Sequence, residues 1–141
     1  MADPAPGMFQ SLGSAREANA YFDGMVAALD TCVGQTWPDD FDGTPATMTM
    51  MKVSGPTVGD RSASFRMVGT ADDVPVSITV DFTLVARGTV LELYGSVNAS
   101  SPVASFQQLS AADFADIVAR GDAKVARALD SAATSSDSLH A

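Results

Sequence analysis

Nucleophilic hydrolysis needs a hydroxyl or thiol within hydrogen-bond reach of a base, most often histidine. This chain of 141 residues has one histidine, His140, next to the last residue, and one cysteine, Cys32. A reactive thiol there would need a neighbouring cation or a helix N-terminus to favour the thiolate. Instead Cys32 falls in "DTCVGQTW" (30–37), at the predicted end of a helix and two residues after Asp30, so it reads as a packing residue. A single cysteine also excludes an intramolecular disulfide and a thiolate metal cluster. Acidic residues gather at Asp39, Asp40 and Asp42 and at Asp72 and Asp73, and such groups can exchange protons or bind hard cations. Both groups lie in turn-forming sequence, and "DDFDG" lacks the alternating oxygen ligands and closing glutamate of a calcium hand. "GPTVGD" (55–60) has two glycines without the lysine or the strand-to-helix setting of a phosphate loop. No catalytic set, no metal site and no cofactor are therefore expected.

The elements that would carry any site follow from periodicity. "SARE" (14–17) is a capping box: Ser14 accepts from the N–H three residues on and Glu17 reaches back. Ala18, Tyr21, Phe22, Met25, Val26, Leu29 and Val33 then recur at three- and four-residue steps, which predicts an amphipathic helix stopped by Gly34 and Pro38. "PDDFDGTP" (38–45) reads as an acidic loop. Beyond it the period becomes two, giving strands at "ATMTMMKV", "RSASFRMV", "VSITVDFTLVA" and "TVLELYGSV". "SAAD" (110–113) caps a second helix with its apolar stripe at Phe114, Ile117, Val118, Gly121, Val125 and Leu129, and Asp116 and Arg120 pair across one turn. Gly121, inside that stripe, predicts a close approach to another element. The expected fold is α+β: a four-stranded antiparallel meander with an N-terminal and a C-terminal helix packed on one face. Residues 1–8 read as a leader, 9–131 as a single domain and 132–141 as a flexible tail.

Composition narrows the partners. With 17 acidic and 8 basic residues the net charge is -9, which repels phosphate backbones and anionic headgroups and argues against nucleic acid. No apolar run reaches the ~18 to 20 residues that span a bilayer, so a membrane role would require an anchor outside this sequence. The Pro- and Ala-rich start, with no basic stretch before an apolar core, suits an exported domain separated from its leader.

If both helices cover the face built by Phe65, Val80, Phe82 and Leu93, the opposite face displays Arg66, Asp81, Glu92 and Tyr94 with Thr79, Thr83, Val85 and Val90. Aromatic area beside charged groups suits a recognition surface, so Arg66, Asp81, Glu92 and Tyr94 are the first candidate ligand-binding residues. Trp37, expected to lie over the helix end, is the other candidate, at a groove between it and the two helices.

"EANAYFDGMVAALDTCVGQTW" (17–37) resembles a segment of mycobacterial envelope sensor domains of the PknH-like extracellular type, in which a helix ends in a Trp-x-x-Cys pattern. Cys32 matches that cysteine, and Leu29 stands where the tryptophan is usual. "TLVARGTVLELYGSVNAS" is similar to the family's Arg-x-Asn-x-Val hairpin, with Gly88 and Thr89 in place of asparagines, and "FADIVARGDAKVARAL" is similar to its closing helix. The resemblance spans about residues 9–130. Members carry paired cysteines and Cys32 has no partner, so a disulfide-held groove does not transfer. The resemblance implies an exported, non-catalytic domain of a kinase stalk or lipoprotein, with a groove for an envelope small molecule, lipid or protein. The alternatives are a protein-interaction or apolar-ligand carrier module and a small enzyme using Asp81 and Glu92.

Overall fold

The structure, a computed structural model, describes residues 7–102 and 108–139. Its elements are β1 (Gly7–Ser11), α1 (Ala15–Cys32), β2 (Thr36–Phe41), β3 (Thr44–Val53), β4 (Arg61–Ala71), β5 (Ser77–Arg87), β6 (Val90–Ser100) and α2 (Ala111–Leu139). All six strands form one antiparallel sheet in the order β1-β6-β5-β4-β3-β2. The expected α+β class holds, but the sheet has six strands and not four.

The two added strands are both edges. β2 occupies the stretch expected to be an acidic loop. Its Pro38, Asp39 and Asp40 are poor strand formers, and an edge tolerates them because one side of the strand needs no partner. The turn itself is only Asp42–Gly43, whose φ values of 51° and 90° suit the two-residue hairpin loop that joins β2 to β3. β1 begins at Gly7, inside the stretch read as a leader, and pairs with β6 from Gly7↔Tyr94 to Ser11↔Val90. Residues 1–6 of that leader lie outside the described residues.

Successive side chains of a strand point to opposite faces, and this sheet buries both. Phe22 of α1 packs with Leu84, Ala86 and Leu91 on one face, joined by Leu12, Val26, Leu29, Ala63 and Leu93. Phe114 and Val118 of α2 pack with Val85 and Tyr94 on the other, joined by Val58 and Leu109. The molecule is thus a helix–sheet–helix sandwich, and the expectation that both helices share one face is overturned. The unbroken burial of Thr83, Leu84, Val85 and Ala86 on successive positions of β5 is the signature of a strand covered on both faces.

Both helix starts follow their caps. Ser14 Oγ accepts from Glu17 N–H at 3.1 Å, and Glu17 Oε2 accepts from the Gly13 N–H at 3.0 Å. Ser110 Oγ accepts from Asp113 N–H at 3.1 Å, and Asp116 pairs with Arg120 at 3.0 Å. α2 runs on to Leu139, through most of the segment expected to be a flexible tail; the last two residues, including His140, lie outside the described ones.

Candidate functional site

α1 does not press its whole apolar stripe onto the sheet. Ala18 and Phe22 in its first half are buried, whereas Tyr21 points outward and Met25 and Leu29 stay partly open. The floor beneath the second half explains the gap. Gly95 sits inside β6 opposite Phe82, and a Cβ placed there would find nothing nearer than the Asp81 carbonyl oxygen at 3.9 Å. The strand offers no side chain at the point where one would fill the space under the helix.

What remains is an open-sided groove of about 690 Å³. Val80, Phe82 and Leu84 of β5 with Leu93 and Gly95 of β6 form its floor, Met8 of β1 its outer wall, and Met25, Ala28 and Leu29 of α1 its roof. No lining side chain is polar. Met8 at 66% exposure and Val97 at 68% carry the apolar surface out past the groove. The volume lies within the ~300–1,000 Å³ usual for small-molecule sites, and water held there would find no hydrogen-bonding side chain.

A second hollow of about 410 Å³ lies on the β3–β4 side of α1, lined in part by Phe22, Lys52, Arg61, Ser62 and Ser64. Its two cations are already matched: Lys52 Nζ lies 3.3 Å from Asp30, and Arg61 2.5 Å from Asp23 while also covering the Phe22 ring. The hollow therefore offers no free charge to a ligand.

The residues expected to bind do not converge. Arg66 and Asp81 meet across β4 and β5 as a two-pronged ion pair, Nε to Oδ1 at 2.7 Å and Nη2 to Oδ2 at 3.2 Å, and the carboxylate holds the guanidinium pKa above its ordinary value. Glu92 and Tyr94 meet on β6, the Tyr94 hydroxyl donating to Glu92 Oε1 at 2.5 Å, but at 1% and 2% exposure they lie beneath α2. The surface drawn through these four is thus not an open face. Asp81 pairs with Ser96 and Glu92 with Val85, which sets the two carboxyls roughly 13 Å apart along the sheet and excludes them as one acid–base pair. Trp37 faces the α1 side on β2, opposite Met48, four strand spacings from the β6 part of the groove floor. Cys32 is free and half-buried on the last turn of α1, its Sγ 3.8 Å from the Ala28 carbonyl.

Under α2 the chemistry is different. Asp122 joins Arg87 through Nε to Oδ1 at 2.8 Å and Nη2 to Oδ2 at 2.5 Å, and Oδ2 also accepts from the Gly59 N–H at 3.0 Å. The Arg87 hydrogen bonds hold Asp122 below its usual carboxylate range. Burial pushes Glu92 up to about 7 and, with the hydrogen bond to Glu92, drives the Tyr94 hydroxyl far above its ordinary value. Sequence reading missed this cluster because Asp122 and Arg87 are 35 positions apart; the signal that pointed toward it was Gly121.

Among the described residues no group of three or more His, Cys, Asp or Glu side chains could hold a metal ion, and no helix is long and apolar enough to cross a membrane. No protein-family model, no curated protein and no solved structure matches the chain.

Proposed function

We propose that this chain is a non-catalytic ligand-binding domain of the cell envelope, extracytoplasmic and of the PknH-like sensor type, whose ligand is an apolar chain lying in the groove under α1. The observation that carries the reading is the groove itself: about 690 Å³ lined by apolar side chains and one glycine, at a place where the sheet omits the side chain that would close it. A folded domain gains about 25 cal/mol for each Å² of apolar surface removed from water, so leaving Met25, Leu29, Phe82 and Leu93 around an unfilled space forgoes stability that one larger residue at 95 would recover. A bound hydrocarbon chain recovers it instead. The absence of polar lining favours a ligand recognised by its chain, and the net charge of -9 favours an uncharged or cationic headgroup over an anionic one. The resemblance in the α1 segment and the β5–β6 hairpin supports the envelope setting.

A carboxylate-based enzyme is the weaker reading, because Asp81 is engaged by Arg66 and Glu92 is enclosed beneath α2. Native mass spectrometry tests the proposal: protein incubated with a neutral single-chain amphiphile such as monolaurin is expected to carry one adduct, and Gly95→Leu to carry none. Equal adducts on both proteins would contradict it.

A further inference from the structure

Glu92 is enclosed, at 1% exposure, with one cation near it that is already engaged by another acid. From its own strand, Tyr94 donates to Oε1, while Oε2 has no hydrogen-bond partner. β1 brings Phe9, whose ring meets Tyr94 edge-on at 5.9 Å between centroids. β5 brings Arg87, but both carboxylate oxygens of Asp122 on α2 already take that guanidinium. The segment before β4 brings a further acid, Asp60, which attracts Arg87 from outside while its own Oδ2 accepts from the Gly88 N–H at 2.7 Å. One cation thus faces two buried carboxyls, Glu92 and Asp122, so an ionised Glu92 leaves a net negative charge in an interface without water's screening. α2 seats directly above: a Cβ on Gly121 would lie 2.5 Å from the Tyr94 ring.

We propose that Glu92 is a proton-operated clasp for α2, neutral and closely packed when protonated, and repelling Asp122 so that the helix loosens when ionised. Burial raises the Glu92 carboxyl to about 7 from 4.5, the Asp122 carboxyl adding to the rise and the Tyr94 hydrogen bond opposing it. Between these two values the folded chain holds a proton that the opened chain has released. The clasp is therefore tightest in acid and weakens as pH rises to about 7, after which it weakens no further. A domain on the outside of a cell meets changes of pH that the cell does not buffer, and this cluster converts such a change into the seating of one helix.

The test uses the full chain with His140→Gln, so that no histidine contributes to the pH dependence. Glutamate-selective ¹³C labelling gives two carboxyl signals, because Glu17 and Glu92 are the only glutamates. One signal is expected to titrate near pH 7, and amide protection factors over residues 114–122 to fall about tenfold between pH 6 and 8. Glu92→Gln, which keeps the shape without the titration, is expected to lose that signal and hold its protection constant across the range. Two glutamates titrating below about pH 5.5 would overturn the proposal, as would a Glu92 titration near 7 with unchanged protection at α2. If Glu92→Gln does not fold, the titration and protection measured with Glu92 intact decide the matter.

Discussion

The two faces of the sheet are built from the same strands and finished in opposite ways. Under α2 the packing is close and holds charge: Gly121 admits the Tyr94 ring, Asp122 ties the helix to Arg87, and Glu92 is sealed in. Under α1 the lining is apolar and incomplete, with Gly95 where a side chain could fill the space. Leu93 and Glu92 are neighbours in the chain, yet one lines an open groove and the other a closed interface. Polar groups can be buried where geometry supplies partners, whereas an apolar hollow offers water no hydrogen bond.

Four measurements bear on this contrast. The largest effect belongs to the charged face. Stability to denaturant is expected to fall by about 3 kcal/mol as pH rises from 4.5 to 7, because the raised Glu92 pKa means the folded state keeps a proton the unfolded state loses. On the acid side Asp122, with its pKa lowered, works in the opposite sense: its contribution is present above the unfolded value of 3.8 and is lost as pH falls below that. Maximum stability is therefore expected near pH 4 to 5; a maximum at neutral pH would contradict the description of this face. Next, Gly121→Leu is expected to cost about 2 kcal/mol, overpacking against the buried Tyr94 outweighing a helix-propensity gain of about 1 kcal/mol. Unchanged stability in urea denaturation would mean that α2 rides higher above the sheet. Arg66→Ala is expected to cost only about 0.5 to 1 kcal/mol, since its guanidinium is partly in solvent and screened there. The smallest loss is expected on the open face: Met25→Ala, at a site 37% exposed, should change the unfolding free energy by about 0.5 kcal/mol while weakening amphiphile binding.

Much of the fold was legible from periodicity. Four strands, the two caps and the Asp116–Arg120 pair stand where spacing puts them, and Gly121 marks a close contact. Both missed strands are edges, where local chemistry misleads: Pro38, Asp39 and Asp40 look like a loop because only a strand with one free side can carry them. The error about the faces had a different cause. Glu92 and Thr83 alternate with apolar residues as in a solvated face, and their burial became visible only with α2 seated above them and Ser64 in place to partner Thr83. The groove could not be read at all, because it depends on a glycine of β6 lying beneath the second half of α1, 66 to 70 residues earlier in the chain.

The space over Gly95 is proposed as a binding site and not a packing fault. Titration of a single-chain amphiphile against the intact protein and against Gly95→Leu, followed by intrinsic heat of binding and by thermal unfolding, tests it most directly. Saturable one-to-one binding to the intact chain is expected, with no detectable binding to Gly95→Leu and an unfolding temperature in Gly95→Leu equal to or above that of the unliganded parent, because a Cβ there meets only the Asp81 carbonyl oxygen, at an ordinary contact distance of 3.9 Å. Undiminished binding to Gly95→Leu, or no binding to the intact chain by any neutral, cationic or anionic amphiphile, would contradict it.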